Sequence, residues 1–366
     1  MAENKNNMEA LEKARTRKRV PETEYLTQME DSANVLELEE LRTCFFTDRG
    51  VVRSVDGVSF SVPAGKTVAV VGESGCGKSV TSLSVMQLLQ RPQGQITGGA
   101  IRLNLGDKAY DLAKTPETVM RHLRGGEVSM IFQEPMTSLN PVLTIGKQIG
   151  EAVALHDPKG KDRRYCHSRV LALLEQVGIA NGAQVCKKYP HELSGGMRQR
   201  IVIAMALAGS PRLIIADEPT TALDVTVQAQ ILELLKELKE KTGCAILLIT
   251  HDLGVVAGMA DLVVVMYAGR VVEQGTAEEI FYAPAHPYTR ALMAAKPVLG
   301  KKTERLHTMG GSVPDPGALP QWCYFRDRCG ELGDQCAGDY PDQVWLSQTH
   351  RVSCWQHLQE DAHEDK

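Results

Sequence analysis

The chain has 366 residues, 43% of them apolar, with 41 Lys and Arg against 45 Asp and Glu for a net charge of −4. That length can hold two or three compact domains around a large core, and nothing in the charge balance suggests the basic face that nucleic-acid binding would need. Met1 to Asn7 carry no apolar h-region, and the longest apolar runs, Ile201 to Ala208 and Leu262 to Ala268, fall well short of the roughly 20 residues of a bilayer span, so a soluble or peripheral protein is expected.

In chain order, residues 1–34 are polar and read as a flexible, solvated tail with a short basic run, Ala14-Arg15-Thr16-Arg17-Lys18-Arg19. Weak contact of that run with anionic lipid is the sharper alternative. Val35 to Leu41 and Val58 to Val62 alternate like half-buried antiparallel strands. Thr67 to Val71 is a β-branched apolar strand that runs straight into a glycine-rich loop, and Leu83, Met86, Leu88 and Leu89 behind it have helical spacing. Residues 134–193 carry few strand signals, and the helix Val170 to Val177, stopped by Gly178, marks a helical insertion. Then come a helix over Ile201 to Leu207, a buried strand over Leu213 to Ala216, an amphipathic helix over Val227 to Lys241 and a buried strand over Ala245 to Thr250. Strands alternating with helices imply a mainly parallel sheet covered on both faces. Val263 to Met266 and Arg270 to Glu273 read as a late hairpin, and the chain beyond Pro297 is loop-rich.

Four motifs stand in order. Gly72-Glu73-Ser74-Gly75-Cys76-Gly77-Lys78-Ser79 fits G-x-x-x-x-G-K-S between a strand and a helix, the context this loop requires. Its glycines let backbone N–H groups curl around a β-phosphate, Lys78 neutralises β- and γ-oxygens, and the Ser79 hydroxyl suits Mg2+. Leu193-Ser194-Gly195-Gly196-Met197 places a second N–H nest at a helix start. Since the chain already has a phosphate loop, this second nest points to a γ-phosphate bound elsewhere; a plain glycine-rich helix cap is the alternative. Asp217 ends an apolar strand and can hold Mg2+, and Glu218 next to it can polarise an attacking water. His251 follows the strand ending at Thr250.

With these four motifs the sequence resembles the ATP-binding-cassette ATPases over about residues 35–296. The resemblance implies an α/β fold: an ABC-type P-loop NTPase core, with a mainly parallel sheet and an antiparallel β subdomain, a helical subdomain at about 134–200, and a loop-rich, cysteine-containing C-terminal extension over 297–366. It implies ATP and Mg2+ as ligands. Nucleotide binding would fall to Phe45, with Phe46 as rival for adenine stacking, and to Gly72, Glu73, Ser74, Gly75, Cys76, Gly77, Lys78, Ser79 and Val80. Mg2+ would fall to Ser79, Gln133 and Asp217. Gln133, in Phe132-Gln133-Glu134-Pro135, matches the loop glutamine that touches Mg2+ or water and reports to a membrane partner. Glu218 and His251 match the water-polarising carboxylate and the switch histidine, and Asp224 the loop that couples two sites. Ser194, Gly195, Gly196 and Met197 would contact ATP held by an opposing subunit. No catalytic position departs from the pattern, so a hydrolysing site is expected.

Three further segments, FQEPMTSLNP over Phe132 to Pro141, HPYTRAL over His286 to Leu292 and Gly311-Ser312-Val313-Pro314, are similar to the ATPases of dipeptide, oligopeptide and nickel importers. That likeness implies an ATP-hydrolysing subunit powering peptide import from the cytoplasmic face of a cell membrane. Its expected partners are a second, different ATPase chain, two transmembrane permease subunits and an extracytoplasmic substrate-binding protein. A nickel or other small-solute importer, or a non-transport ATPase of the superfamily, is the alternative. Cys323, Cys329, Cys336 and Cys354 are spaced more openly than zinc sites, and disulfides are disfavoured in a reducing cytosol. Four thiolates on a loop-rich segment can hold a [4Fe–4S] cluster, as in some peptide-importer ATPases that this segment resembles. Zinc or no metal are the alternatives, and His350 and His357 are expected at the surface or as substitute ligands.

Overall fold

The computed structural model describes residues 2–17, 19–133, 138–221, 223–295 and 309–358. Two sheets form the scaffold. The larger has eight strands in the order β12-β13-β11-β10-β4-β9-β8-β7. Its centre is parallel: β4 (Thr67–Val71), β7 (Val128–Ile131), β8 (Leu213–Asp217), β9 (Ala245–Ile249) and β10 (Leu262–Tyr267). β4, β8 and β9 are buried along their whole length, as β-branched and apolar runs covered on both faces must be. Their alternating side chains feed two cores. Ala69, Val71, Ile214, Ala216, Ile246 and Leu248 pack toward the helical part of the chain, whereas Val68, Val70, Leu213, Ile215 and Leu247 pack toward the second sheet.

That second sheet is antiparallel, in the order β1-β6-β5-β2-β3. β2 (Asn34–Thr47) and β3 (Gly50–Pro63) form its long hairpin, and β5 (Gly94–Asn104) and β6 (Ala109–Asp111) continue it. The alternation over Val35 to Leu41 and Val58 to Val62 is thus the inner half of a longer ribbon. The insertion is helical as expected, with helices at Ile145–His156, Arg163–Gln176, Gly182–Val185 and Gly195–Ala206. The late hairpin pairs β10 with β11 (Arg270–Thr276). No helix among the described residues is long and apolar enough to cross a membrane.

Two expectations are corrected. The first 34 residues do not form a poorly ordered tail: Ala2–Arg15 is a helix, and β1 (Leu26–Thr27) pairs with β6. Polar composition concealed specific anchors. Arg15 donates to the Gln87 carbonyl at 2.8 Å, Glu12 accepts from Gln95 at 2.7 Å, and buried Tyr25 meets Tyr110 edge-on. Arg15 and Arg17 are also engaged, the latter with Glu24, so the basic run is not a free cationic strip; Lys18 lies outside the described residues.

The C-terminal extension is loop-rich as expected but is tied into the fold, and the correction there concerns His350. β12 (Val344–Trp345) and β13 (Arg351–Val352) extend the main sheet beyond β11. Tyr324 and Phe325 pack into its core. His350, expected at the surface, is buried, and its Nε2 lies 2.8 Å from Glu273 Oε1. A carboxylate buried on β11 requires such partners, since an unpaired one would be costly. His357 Nε2 lies 3.3 Å from the Ala285 carbonyl.

Candidate active site

The glycine-rich loop leaves the C-terminal end of β4, and its helix, Lys78–Val85, starts at Lys78 behind Gly77. Gly72 and Gly77 have φ of 155° and 100°. A Cβ at Gly72 would stand 2.2 Å from the Met266 carbonyl oxygen, and one at Gly77 2.3 Å from that of Ser54. Only glycine fits this path. Lys78 is buried, and its Nζ donates to the carbonyls of Gly72 at 2.8 Å and Glu73 at 2.9 Å. Ser79 and Asp217 meet as the sequence implies, the hydroxyl donating to Asp217 Oδ1 at 3.1 Å. Burial, and then the neighbouring Glu218 charge, push the Asp217 carboxyl above its ordinary range, while the Ser79 bond opposes them.

Glu218 is the hub. Its Oε2 accepts from Gln133 Nε2 at 2.9 Å and from Thr221 Oγ1 at 2.9 Å, and its Oε1 lies 3.0 Å from His251 Nδ1. Its backbone is held at φ 46°, in the left-handed region, at a cost of order 1 kcal/mol. The N–H bond from Glu218 to the Ile249 carbonyl, 2.9 Å long, fixes that turn at the end of β8. Burial pushes the Glu218 carboxyl up, but the His251 and Thr221 bonds outweigh it and hold the group below its usual range. The carboxylate is therefore ionised near neutral pH and available as a base. Thr221 carried no signal of its own in the sequence beyond its place three residues after Glu218.

The serine–glycine cap is set apart. Ser194 N-caps the helix Gly195–Ala206, its Oγ accepting from the Met197 N–H at 3.4 Å. Ser194 and Gly195 are exposed. Among the described residues no hydrogen bond joins Ser194, Gly195, Gly196 or Met197 to the glycine-rich loop. The link to the acidic strand runs deeper, through buried Gln199, which donates to the Pro219 carbonyl at 2.7 Å. Asp224 N-caps the helix Val225–Thr242, accepting from Val227 N–H at 3.0 Å. Phe45 and Phe46 are both half-buried, and the Phe45 ring lies over Gly94, where a Cβ would stand 2.9 Å from its Cε1. Glu134 to Thr137 of the glutamine loop, and Ala222 before Asp224, lie outside the described residues.

The C-terminal part of the chain also reaches the site. Tyr288 Oη accepts from the Glu73 N–H at 2.9 Å, and Arg328 binds the Glu73 carboxylate. Tyr288 lies in the HPYTRAL segment, whose value in the sequence was only as a family marker. The position of Arg328 had no sequence signal.

Comparison with known proteins adds three findings. A family model described as "ABC transporter" matches residues 55–221, and one described as "Oligopeptide/dipeptide transporter, C-terminal region" matches 272–336. A model described as "AAA domain, putative AbiEii toxin, Type IV TA system" matches 189–257, the stretch from the serine–glycine cap to His251. Among curated proteins, the chain is 49% identical over 330 residues to the oligopeptide transport ATP-binding protein AppD of Bacillus subtilis, covering 90% of this chain and 99% of that one. It is 50% identical to the dipeptide transport ATP-binding protein DppD of the same organism, covering 88% and 94%. It is 47% identical to the Escherichia coli protein of that name, covering 87% and 96%. Among solved structures, the ATP-binding cassette MJ0796 in a dimeric post-hydrolysis state bound to ADP and Pi has the same fold, with a TM-score of 0.58 at 24% identity, covering 66% of this chain and 98% of that one. A second, cbiO1 from Clostridium perfringens, part of the ABC transporter complex cbiONQ, matches with a TM-score of 0.57 at 27% identity, covering 69% and 92%.

Proposed function

The chain belongs to the oligopeptide and dipeptide transport ATP-binding proteins of the ABC transporter family, and on that premise we propose that it hydrolyses ATP to power import of di- or oligopeptides through a membrane transporter. The observation that carries this reading is the convergence of Gln133, Thr221 and His251 on Glu218 beside the Ser79–Asp217 pair, in a chain whose C-terminal part matches the peptide-transporter region. Lys78 and the loop N–H groups take the phosphates. Glu218, kept ionised, orients and deprotonates the attacking water, and Gln133 and His251 hold its two oxygens. Ser79 and Asp217 fit Mg2+ as a hydroxyl and a buried carboxylate at one point, and the ion would neutralise developing phosphate charge. Residues 35–296 serve as the ATPase domain in this reading, with the helical part at about 134–200 and the extension from 297.

The working unit is a pair of ATPase chains on two permease subunits at the cytoplasmic face, fed by an extracytoplasmic binding protein. The exposed cap at Ser194 and Gly195 supports a second ATPase chain. For the permease, support comes from an apolar groove of ≈ 370 Å3 beside the glutamine loop, lined by Met86, Leu88, Met130, Phe132, Val202 and Met205, with Phe132 41% exposed. Purification from membranes with the permeases attached, and ATP hydrolysis that depends on them or on a second ATPase chain, is the expected result. Full-rate hydrolysis by a strict monomer would sink the proposal.

We also propose a four-iron cluster on the cysteine segment. Cys323, Cys329, Cys336 and Cys354 line one cavity and none is in a disulfide. Burial, and then the other three thiols, push Cys323 up to about 11. The backbone groups of Phe325, Glu331 and Gln356, two residues on, favour the ionised forms of Cys323, Cys329 and Cys354, which suits thiolates bound to iron. Among the described residues no group of three or more His, Cys, Asp or Glu is arranged to hold a metal ion, so binding iron and sulfide, like binding zinc, would require the four thiols to draw together. Bound iron and sulfide would cross-link the segment. Anaerobic purification should give absorbance near about 400 nm with stoichiometric iron; colourless, iron-free protein would refute the cluster.

A further inference from the structure

Glu73 is the second residue of the glycine-rich loop, and all three of its polar groups are used. Its carbonyl accepts from Lys78 Nζ at 2.9 Å, so its placement helps to set the lysine. Its N–H donates to Tyr288 Oη. Its carboxylate receives a two-pronged bond from Arg328, Nη1 to Oε2 at 2.8 Å and Nη2 to Oε1 at 3.0 Å. Such a planar fork is among the strongest of ion pairs and fixes geometry as well as charge.

Arg328 is itself locked. Its side chain is only 6% exposed. Nε donates to the Gly310 carbonyl at 3.0 Å and Nη1 also to Tyr267 Oη at 3.2 Å, while the guanidinium lies 5.7 Å from the Tyr267 ring centre and 6.0 Å from that of Phe325. It belongs to the short turn Arg326–Arg328, directly before Cys329. The pair with Glu73 holds the Arg328 pKa well above its ordinary value.

A carboxylate inside a loop that binds a triphosphate is an electrostatic liability, because at short range two anions repel by several times thermal energy even at the effective dielectric of a protein surface. Arg328 cancels it. We infer that Arg328 is a positioning residue for nucleotide binding: it neutralises and orients Glu73, so that an acidic glycine-rich loop accepts a polyanion, and it makes the cysteine segment a working part of the ATP site. This rests on the reading that the loop binds ATP.

The test is calorimetric titration of the full chain with MgATP and MgADP, beside its melting curve, for Arg328→Met with and without Glu73→Gln. Arg328→Met should raise the Kd for ATP about tenfold, or ~1.4 kcal/mol. The loss should be smaller for ADP, which carries less charge. Adding Glu73→Gln should restore most of the affinity, because it removes the charge left unpaired. A double variant as weak as Arg328→Met, or equal losses for ATP and ADP, would overturn the inference, since a packing defect is not relieved by neutralising a carboxylate. Should Arg328→Met not fold, Arg328→Lys keeps the charge and loses the fork; it should weaken ATP binding by less than about tenfold, and a loss as large for ADP as for ATP would count against the inference. A wild-type chain that binds no ATP would overturn the underlying reading as well.

Discussion

Two nests of backbone N–H groups occur in this chain, and their glycines answer to different demands. In the loop, Gly72 and Gly77 are imposed from within, because any side chain would run into the carbonyls of Met266 and Ser54. In the cap, a Cβ at Gly195 would meet only Leu223 Cδ2, at an ordinary 3.5 Å. Gly195 has no left-handed φ, is exposed, and costs its helix about 0.5–1 kcal/mol against alanine. Nothing among the described residues asks for glycine there. In the proposed function the loop serves a ligand of its own chain, with acid, base and cation-binding groups around it. The cap is an exposed surface, which fits a ligand approaching its backbone from outside. Its neighbour Gly196 is different again, since a Cβ there would stand 2.8 Å from Val227 Cγ1.

The comparison breaks most decisively at Glu218. Glu218→Gln keeps the shape of the hub and removes the base, so the loop should still bind ATP while hydrolysis falls about 10³-fold. Titration and steady-state phosphate release check the two halves separately, and near-normal turnover would remove Glu218 from its role. His251→Ala, which strips one partner from Oε1, should cost about 10²-fold in the same assay. Next is Gly195→Asp, which the local space admits. It should leave ATP binding to the isolated chain intact and cut hydrolysis by the assembled transporter about 10²-fold, because it sets a carboxylate where an opposing γ-phosphate is expected. Loss of binding in the isolated chain would show instead that the cap serves its own loop.

Much of this was legible in the sequence, for identifiable reasons. Short-range motifs carry their own geometry: a strand, a G-x-x-x-x-G-K-S turn and a helix start fix Gly72 to Ser79, and an apolar strand ending in Asp217-Glu218 fixes the carboxylates. Continuous apolar runs revealed β4, β8 and β9, and period-two alternation the inner half of the long hairpin. What escaped depends on long-range contacts between polar residues. The helix Ala2–Arg15 has no strong apolar face and is held by Arg15 and Glu12 reaching residues about 70 to 80 positions away. β12 and β13 are two residues long and owe their existence to the edge of β11. Arg328 reads as an ordinary charge beside a cysteine, and only the fold brings it 255 positions back to Glu73. His350 was misread for the same reason: its partner, Glu273, lies on a distant strand.

The smallest expected effect sharpens the contrast between the nests, because among the described residues the C-terminal part of the chain braces the loop and not the cap. Tyr288, which holds the Glu73 N–H, follows His286, whose Nδ1 accepts the Tyr288 N–H at 3.0 Å. His286 is fully buried, and burial, the dominant cause, lowers its pKa to about 4. Glu273 accepts the N–H groups of Ala285 and His286 and faces His350; burial pushes it up, but the His350 bond and the bonds that follow hold it below its ordinary value. Both groups act in one direction. His286 must be neutral in the folded chain, so its contribution is complete above its unfolded pKa of about 6.5 and is lost as pH falls toward 4. Glu273 must be charged, so its contribution disappears at still lower pH. The full chain should therefore melt a few degrees lower at pH 5 than at pH 7, corresponding to about 1–2 kcal/mol, with ATP affinity declining in step as the Tyr288 brace loosens. His286→Asn supplies a side-chain oxygen to cap the same helix without a titrating ring, and it should flatten the upper part of that pH profile. Hydrogen exchange across pH 7 to 5 should show the loop N–H groups of Glu73 and its neighbours losing protection before those of the cap helix, and simultaneous loss in both would mean that the brace is not selective for the loop.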